Sequence, residues 1–288
     1  MSVMPTIGMK LSVLHRTTFN YASAVTQSVN TLHLEPRTFP YQKTLSALIR
    51  VIPATRMKRF TDLFQNITHH FELQSPHTKL EIESRIRVHN LPLDISAASK
   101  AASLNDLIDP SIKEQTWQYL QESRWVSRHP EVWRQALDVT QGMSSIFDQA
   151  FALMSWIHRE FRYEPGSTTV NTHLEDAFAL RCGVCQDFTH VMLGLCRAVG
   201  IPARYASGYL YNGPKDTLVG AQASHAWSEV YLPAAGWIGF DPTNNTLADE
   251  RYVKIAVGRD YEDVAPIRGN YNGTGHCRME VQVEVVKI

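Results

Sequence analysis

Leu80, Ile82, Ser84, Ile86 and Val88 alternate with charged residues, and an alternation of period two marks a strand with one face in water. Looser versions of the pattern run through 9–21, 29–34, 44–52, 60–64 and 69–73, with Pro36 and Pro53 closing two of the runs. Short strands at regular spacing predict a β-sandwich-like unit over residues 1–95. The period then changes. Asp109-Pro110 starts a helix to about residue 122, with Asp109 as N-cap and proline in the first turn. His129-Pro130 opens a second, with Val132, Trp133, Ala136, Leu137 and Thr140 on one face. Ser144 caps a third, whose buried side carries Phe147, Ala150, Phe151, Met154, Ile157, His158 and Phe161. Residues 172–180 form a short helix. Phe188, Val191, Met192, Leu195, Cys196 and Val199 then recur at spacings of three and four, a helix stopped by Gly200 and Pro202. Strands follow at 203–211, 223–232 and 237–241, and a final one at 279–286. The fold class is α+β. Residues 96–288 form the second unit, with a helical lead-in over about 105–162 and the C-terminal strand. Residues 243–266 read as a mixed segment, and 212–216 as a polar loop bordering the site described next.

Cys185 stands where the helix after Gly183 begins. Unpaired N–H groups at a helix start carry partial positive charge and favour a thiolate. The preceding glycine lets backbone approach closely and leaves the thiol accessible. Downstream, His225 lies on one strand and Asp241 ends the next, with the turn Pro233-Ala234-Ala235-Gly236 between them. Such a hairpin sets imidazole and carboxylate side by side, so that the imidazole faces the thiol and the carboxylate orients its far nitrogen. Plainer readings exist for each residue: a buried structural thiol, a satisfied core histidine, an aspartate starting a turn before Pro242. The Cys-His-Asp order favours the chemical reading. Cys182 makes a Cys-x-x-Cys pair with Cys185. A redox motif of that kind follows a strand near the chain start, and zinc needs two further ligands; neither condition is met. Cys182 is a bystander or, under oxidation, a disulfide partner for Cys185.

Composition narrows the setting. Lys+Arg and Asp+Glu both number 28, which removes any electrostatic case for nucleic acid or an anionic membrane. At 44% hydrophobic and 19% charged residues, a packed core is expected. No apolar run is long enough to span a bilayer, and residues 1–10 lack a signal-peptide pattern. Four cysteines make no disulfide framework. The expectation is a cytoplasmic, reduced protein without metal or cofactor, acting on a peptide or protein. The sequons at Asn66, Asn244 and Asn272 are then accidental.

Gly183-Val184-Cys185-Gln186-Asp187-Phe188, His225-Ala226-Trp227-Ser228-Glu229-Val230-Tyr231-Leu232 and Gly236-Trp237-Ile238-Gly239-Phe240-Asp241-Pro242-Thr243 resemble, in this order, the core motifs of the transglutaminase-like superfamily. The bacterial branch of transglutaminase-like cysteine proteases is the nearest match. It covers about 161–243, and residues 1–95 are similar in general style to that branch's N-terminal β domain. The resemblance implies a papain/transglutaminase-like core: a helix carrying Cys185 packed on an antiparallel sheet carrying His225 and Asp241. It implies acyl chemistry through a Cys185 thioester, ending in hydrolysis if water enters and in transfer if an amine does. The absence of a calcium-loop signature and the protease branch favour hydrolysis of a peptide, amide or isopeptide bond, and relatives suggest a peptide-ligase-type protein partner. The Cys185 N–H is the natural oxyanion donor; Tyr163, Gln186 and Trp227 are candidates for contacts to substrate or oxyanion, and Asp187 complements the helix dipole. Arylamine N-acetyltransferase shares the Cys, His, Asp order but not this motif, and a binding protein retaining the fold is the non-enzymatic alternative.

Overall fold

The computed structural model describes residues 8–213, 218–219 and 224–288. The loop expected at 212–216 and the lead-in to the His225 strand therefore fall largely outside the described residues. Six strands come first: β1 (Met9–Val25), β2 (Gln27–Glu35), β3 (Gln42–Ile52), β4 (Met57–Thr61), β5 (Ile67–Leu73) and β6 (His77–Asn90). Helical segments follow, α1 (Ala97–Ala101), α2 (Pro110–Thr116), α3 (Pro130–Thr140) and α4 (Ile146–Glu160). The two-residue strands β7 (Arg162–Tyr163) and β8 (Cys182–Gly183) flank α5 (Leu174–Leu180) and lead into α6 (Cys185–Ala198). Then come β9 (Ala203–Leu210), β10 (His225–Leu232), β11 (Gly236–Asp241), β12 (Thr246–Leu247) and β13 (Tyr252–Gly258), and finally β14 (Ile267–Asn272) and β15 (Cys277–Lys287). Among the described residues no helix is long and apolar enough to cross a membrane.

The mixed α/β class is as expected, with corrections in detail. The helix expected to reach 122 ends at Thr116 and passes into a 3-10 turn over Trp117–Leu120. The N-cap of α4 is Ser145, not Ser144: its hydroxyl accepts from Asp148 N–H at 3.2 Å. The stretch expected as mixed after Thr243 contains β13, which pairs with β9 in the central sheet. A bulge between Lys254 and Ala256 disrupts its alternation, which is why periodicity misses it. The final strand, grouped by sequence with residues 96–288, pairs with β1 from Leu11 to Tyr21.

Two four-stranded antiparallel sheets form the N-terminal unit, ordered β15-β1-β6-β3 and β14-β2-β5-β4. Tyr21, Val25, Leu32, Leu34, Phe71 and Leu80 fill the space between them. The other end of the first sheet serves a different core. Leu11, Val13, Ile86 and Val88 join the apolar faces of α3, α4 and α6 and the central sheet, ordered β12-β11-β10-β9-β13. α6 lies in the middle of this layer and is buried nearly throughout.

β13 is an edge strand, and unpaired N–H and C=O groups on such an edge would recruit another strand. Three carboxamides from the N-terminal unit occupy them. Gln42 donates to Lys254 C=O at 2.7 Å and accepts from Lys254 N–H at 2.8 Å. Asn66 does the same at Val257, at 2.8 and 2.9 Å. Asn90 donates to the carbonyls of Glu250 (3.0 Å) and Tyr252 (2.9 Å).

Candidate active site

Val184 precedes α6 with extended backbone, and Cys185 occupies the first helical position. Asp187, two residues on, folds back: its Oδ2 accepts from Val184 N–H at 2.8 Å and from the Thr168 hydroxyl at 2.6 Å. One orphan N–H is thereby satisfied and the helix start is tied to the 164–173 loop, while the N–H groups of the first turn stay free of intrahelical partners. Burial pushes the Asp187 carboxyl above its usual range, against those hydrogen bonds. Gly183 is needed for this closure, because a Cβ there would stand 2.5 Å from Asp187 Oδ2. Gly183→Ala is expected to cost about 1–3 kcal/mol of stability through this overlap. Urea unfolding measures it, and an unchanged midpoint would mean that the Asp187 cap shifts freely.

Cys185 is partly exposed and bounded by buried groups. Below it on α6, Thr189 donates its hydroxyl to Cys185 C=O at 2.7 Å. Across from it, β10 brings His225, which is buried. β10 and β11 pair antiparallel from Ser228–Phe240 to Leu232–Gly236, which sets Asp241 diagonally across from His225. His225 Nε2 donates to Asp241 Oδ2 at 2.8 Å. Its other nitrogen, Nδ1, is buried and has no hydrogen-bond partner among the described residues. Burial alone would lower the His225 pKa; Asp241 and the neighbouring Cys185 side chain outweigh it and push it up to about 10. Asp241 and Cys185 thus favour the protonated imidazole. Asp241 is itself pulled below its usual range: burial opposes ionisation, but His225, Asn244 and Tyr252 overcome it.

The carboxylate of Asp241 is saturated. Oδ2 accepts from His225, Asn244 Nδ2 (2.8 Å) and the Tyr252 hydroxyl (2.8 Å); Oδ1 accepts from the N–H groups of Thr243 (2.8 Å) and Asn244 (3.3 Å). Sequence reasoning passed over Thr243, Asn244 and Tyr252. A signal existed for the first two, since an aspartate followed by proline readily accepts from backbone N–H groups just ahead of it. Tyr252 gave none, because it sits on the unrecognised strand β13.

The weaker candidates separate. Tyr163 is about 36% exposed on β7, edge-on to Phe188, and close enough to the site that Cys185, Asp187 and Asp241 add to the burial that raises its pKa to about 12. Gln186 points away: its Nε2 donates to Val170 C=O at 3.1 Å and anchors the 164–173 loop. Trp227 is fully buried, stacked on His225 at 6.2 Å between ring centroids and edge-on to Tyr252. Its ring backs the imidazole. Cys182 is buried, and both it and Cys185 are free thiols.

Residues 134–242 match the transglutaminase-like superfamily, and residues 11–89 match the bacterial transglutaminase-like N-terminal region. An uncharacterised protein of Mycobacterium leprae is 34% identical over 295 residues, spanning 97% of this chain and 99% of its own. A Pseudomonas aeruginosa protein named protein-glutamine gamma-glutamyltransferase is 31% identical over 130 residues, 41% of this chain and 20% of its own. A solved Cytophaga hutchinsonii chain, named provisionally as a cysteine protease, superposes with a TM-score of 0.81 at 22% identity over 98% of this chain and 91% of its own, a likeness of fold. The N-terminal sheets, the helix that presents Cys185 and the sheet that presents His225 and Asp241 are the parts of one known architecture, and the chain belongs to the transglutaminase-like superfamily.

Proposed function

We propose that the protein is a cysteine hydrolase that cleaves a peptide, amide or isopeptide bond through a thioester on Cys185. The observation that carries this is the buried His225, tied through Nε2 to Asp241 and leaving Nδ1 for the thiol at the start of α6. Cys185 Sγ, as thiolate, attacks the carbonyl carbon. The carbonyl electrons move onto oxygen, where the Cys185 N–H at the helix start supplies an oxyanion donor. The C–N bond breaks as the tetrahedral species collapses; His225 gives its proton to the departing amine, and the thioester forms. Water then attacks the thioester, His225 takes a proton from it, and the C–S bond breaks to release a carboxylic acid and the thiolate. Asp241 holds the ring in one orientation throughout and in one tautomer while it is neutral.

A second reading is amine transfer, in which a primary amine replaces water in the last step. The relative named as a gamma-glutamyltransferase favours it. Both endings share the acylation half, so the first test addresses the Cys–His pair alone. With His225 protonated through neutral pH, alkylation of Cys185 by iodoacetamide should remain fast well below pH ~8.5, where a free thiol is protonated. This low-pH limb should disappear in His225→Ala. A single limb near the free-thiol value in both proteins would refute the hydrolase and transferase readings together and favour a binding role. Glutamine-containing peptides, offered with and without a primary amine, then separate hydrolysis from transfer by the product formed.

A further inference from the structure

A cavity of about 390 Å³ opens between the loop that joins β2 to β3 and the face of the central sheet that carries Trp227. Its volume is in the range of small-ligand sites. Cys185 is not among its walls, whereas Trp227 and Tyr252 are, each packed against the His225 ring. The cavity is thus behind the imidazole and separate from the thiol.

Its charged walls are Arg37, Arg204 and Lys254 against Glu229 and Asp249. Glu229 is already shared: Arg204 reaches Oε2 through Nη2 (2.7 Å) and Nε (2.8 Å), and Lys254 Nζ reaches Oε1 at 2.6 Å. Asp249 is taken by Arg251 at 2.7 Å. Arg37 is left over. Among the described residues its guanidinium has no hydrogen bond or ion pair, and its Nε is sealed from solvent with no partner. It rests over the Phe39 ring at 4.9 Å. Burial, and then Arg204, push its pKa down, against the opposing pull of Tyr119, Glu229 and Asp62. Its Nη groups are not sealed in this way and are the donors that an anion in the cavity would meet.

The shape of the deficit indicates the anion. Of the wall cations only Arg37 lacks a bonded partner, so one anionic group aimed at its fork completes the set. A planar guanidinium fork matches a carboxylate in two parallel hydrogen bonds. Phe39, Tyr231 and Trp237 supply flat apolar walls beside it. We propose that the cavity binds a small monocarboxylate with a flat apolar body, its carboxylate clasped by Arg37 and its body held among Phe39, Tyr231 and Trp237.

Phenylacetate is a suitable probe, followed by tryptophan fluorescence, which Trp237 in the cavity wall makes responsive. Titration of the wild-type protein should saturate. Affinity should fall about tenfold or more in Arg37→Gln, the scale of one charge-assisted pair. Arg37→Lys, which keeps the charge and loses the fork, should lie between the two and covers the case in which the glutamine variant folds poorly. Cys185→Ala should bind as wild type does, and 2-phenylethanol, which lacks the carboxylate, should bind more weakly than phenylacetate. The proposal is overturned by any of three results: no saturation in the wild type, binding by Arg37→Gln equal to wild type, or loss of binding in Cys185→Ala, which would put the ligand at the thiol.

Discussion

Asp241→Asn is expected to slow acylation of Cys185 by an activated ester by roughly 10³–10⁴-fold, the scale on which a triad depends on its orienting carboxylate. The reason lies in what surrounds the two oxygens. His225 Nε2, Asn244 Nδ2, Tyr252 Oη and the N–H groups of Thr243 and Asn244 all donate to them. An asparagine must turn its NH₂ toward one set of donors or the other. Turned toward Oδ2's partners, it meets His225 donor to donor and forces the imidazole into the opposite tautomer, taking the acceptor nitrogen away from the thiol. Turned toward Oδ1's partners, it faces two backbone N–H groups that cannot move. Either placement leaves a buried donor unmatched, so a stability cost of about 1–3 kcal/mol should accompany the kinetic loss. Tyr252→Phe separates the two effects. It removes one of three donors to Oδ2 and keeps the charge, so it should cost about 1 kcal/mol and less than tenfold in rate. Stopped-flow acylation and urea unfolding of the same proteins measure both. An Asp241→Asn enzyme within tenfold of wild type would remove Asp241 from the mechanism.

Acid should destabilise the protein before its carboxylates titrate. Two histidines are buried as neutral rings. His15 bonds with Tyr209 Oη (2.8 Å) and Thr17 Oγ1 (2.9 Å), and burial lowers its pKa from 6.5 to about 4. His190 on α6 accepts from Tyr261 N–H at 3.2 Å, and burial, then Arg197 and His173, lower its pKa to about 3. Below pH 6.5 the unfolded chain binds protons at both sites and the folded chain does not, so stability falls as pH falls. By pH 4 the two together amount to on the order of 5 kcal/mol, comparable with the whole stability of many domains. Glu35 adds a separate loss at lower pH. Burial opposes its ionisation, but His69 and Arg59 hold its folded pKa at about 2, so its contribution is present above pH 4.5 and disappears toward pH 2. His225 acts with opposite sign: raised to about 10, it stabilises fully below pH 6.5 and is lost as pH climbs toward 10. Unfolding free energies at pH 7, 6, 5 and 4.5 test the acid limb. His15→Gln and His190→Gln should each flatten it, and a level profile in the wild type would show that neither ring stays neutral when folded.

What the sequence reveals depends on how local each signal is. The start of α6, the hairpin around Gly236 and the alternation in β6 are written in neighbouring residues, so Cys185, His225 and Asp241 can be picked out with the elements that bear them. β13 is local too, but its bulge and its burial on both faces erase the period that announces a strand. With β13 unseen, Tyr252 has no visible relation to Asp241. The pairing of β15 with β1 joins opposite ends of the sequence, and no pattern within either strand specifies that partner. The same holds for Arg37, Arg204 and Lys254, which become neighbours only when the N-terminal sheets close on the central one.

The three carboxamides along β13 also bear on inheritance. Gln42, Asn66 and Asn90 each present a donor and an acceptor on a short arm, and at Lys254 and Val257 both are used on one residue of the strand. Aspartate or glutamate would keep only the acceptor, leucine neither. Drift at these positions therefore exposes backbone in a different part of the chain, on the strand that holds Tyr252 against Asp241. The two units cannot be exchanged as independent cassettes: a lineage that carries this core in another setting must bring its own means of closing that edge.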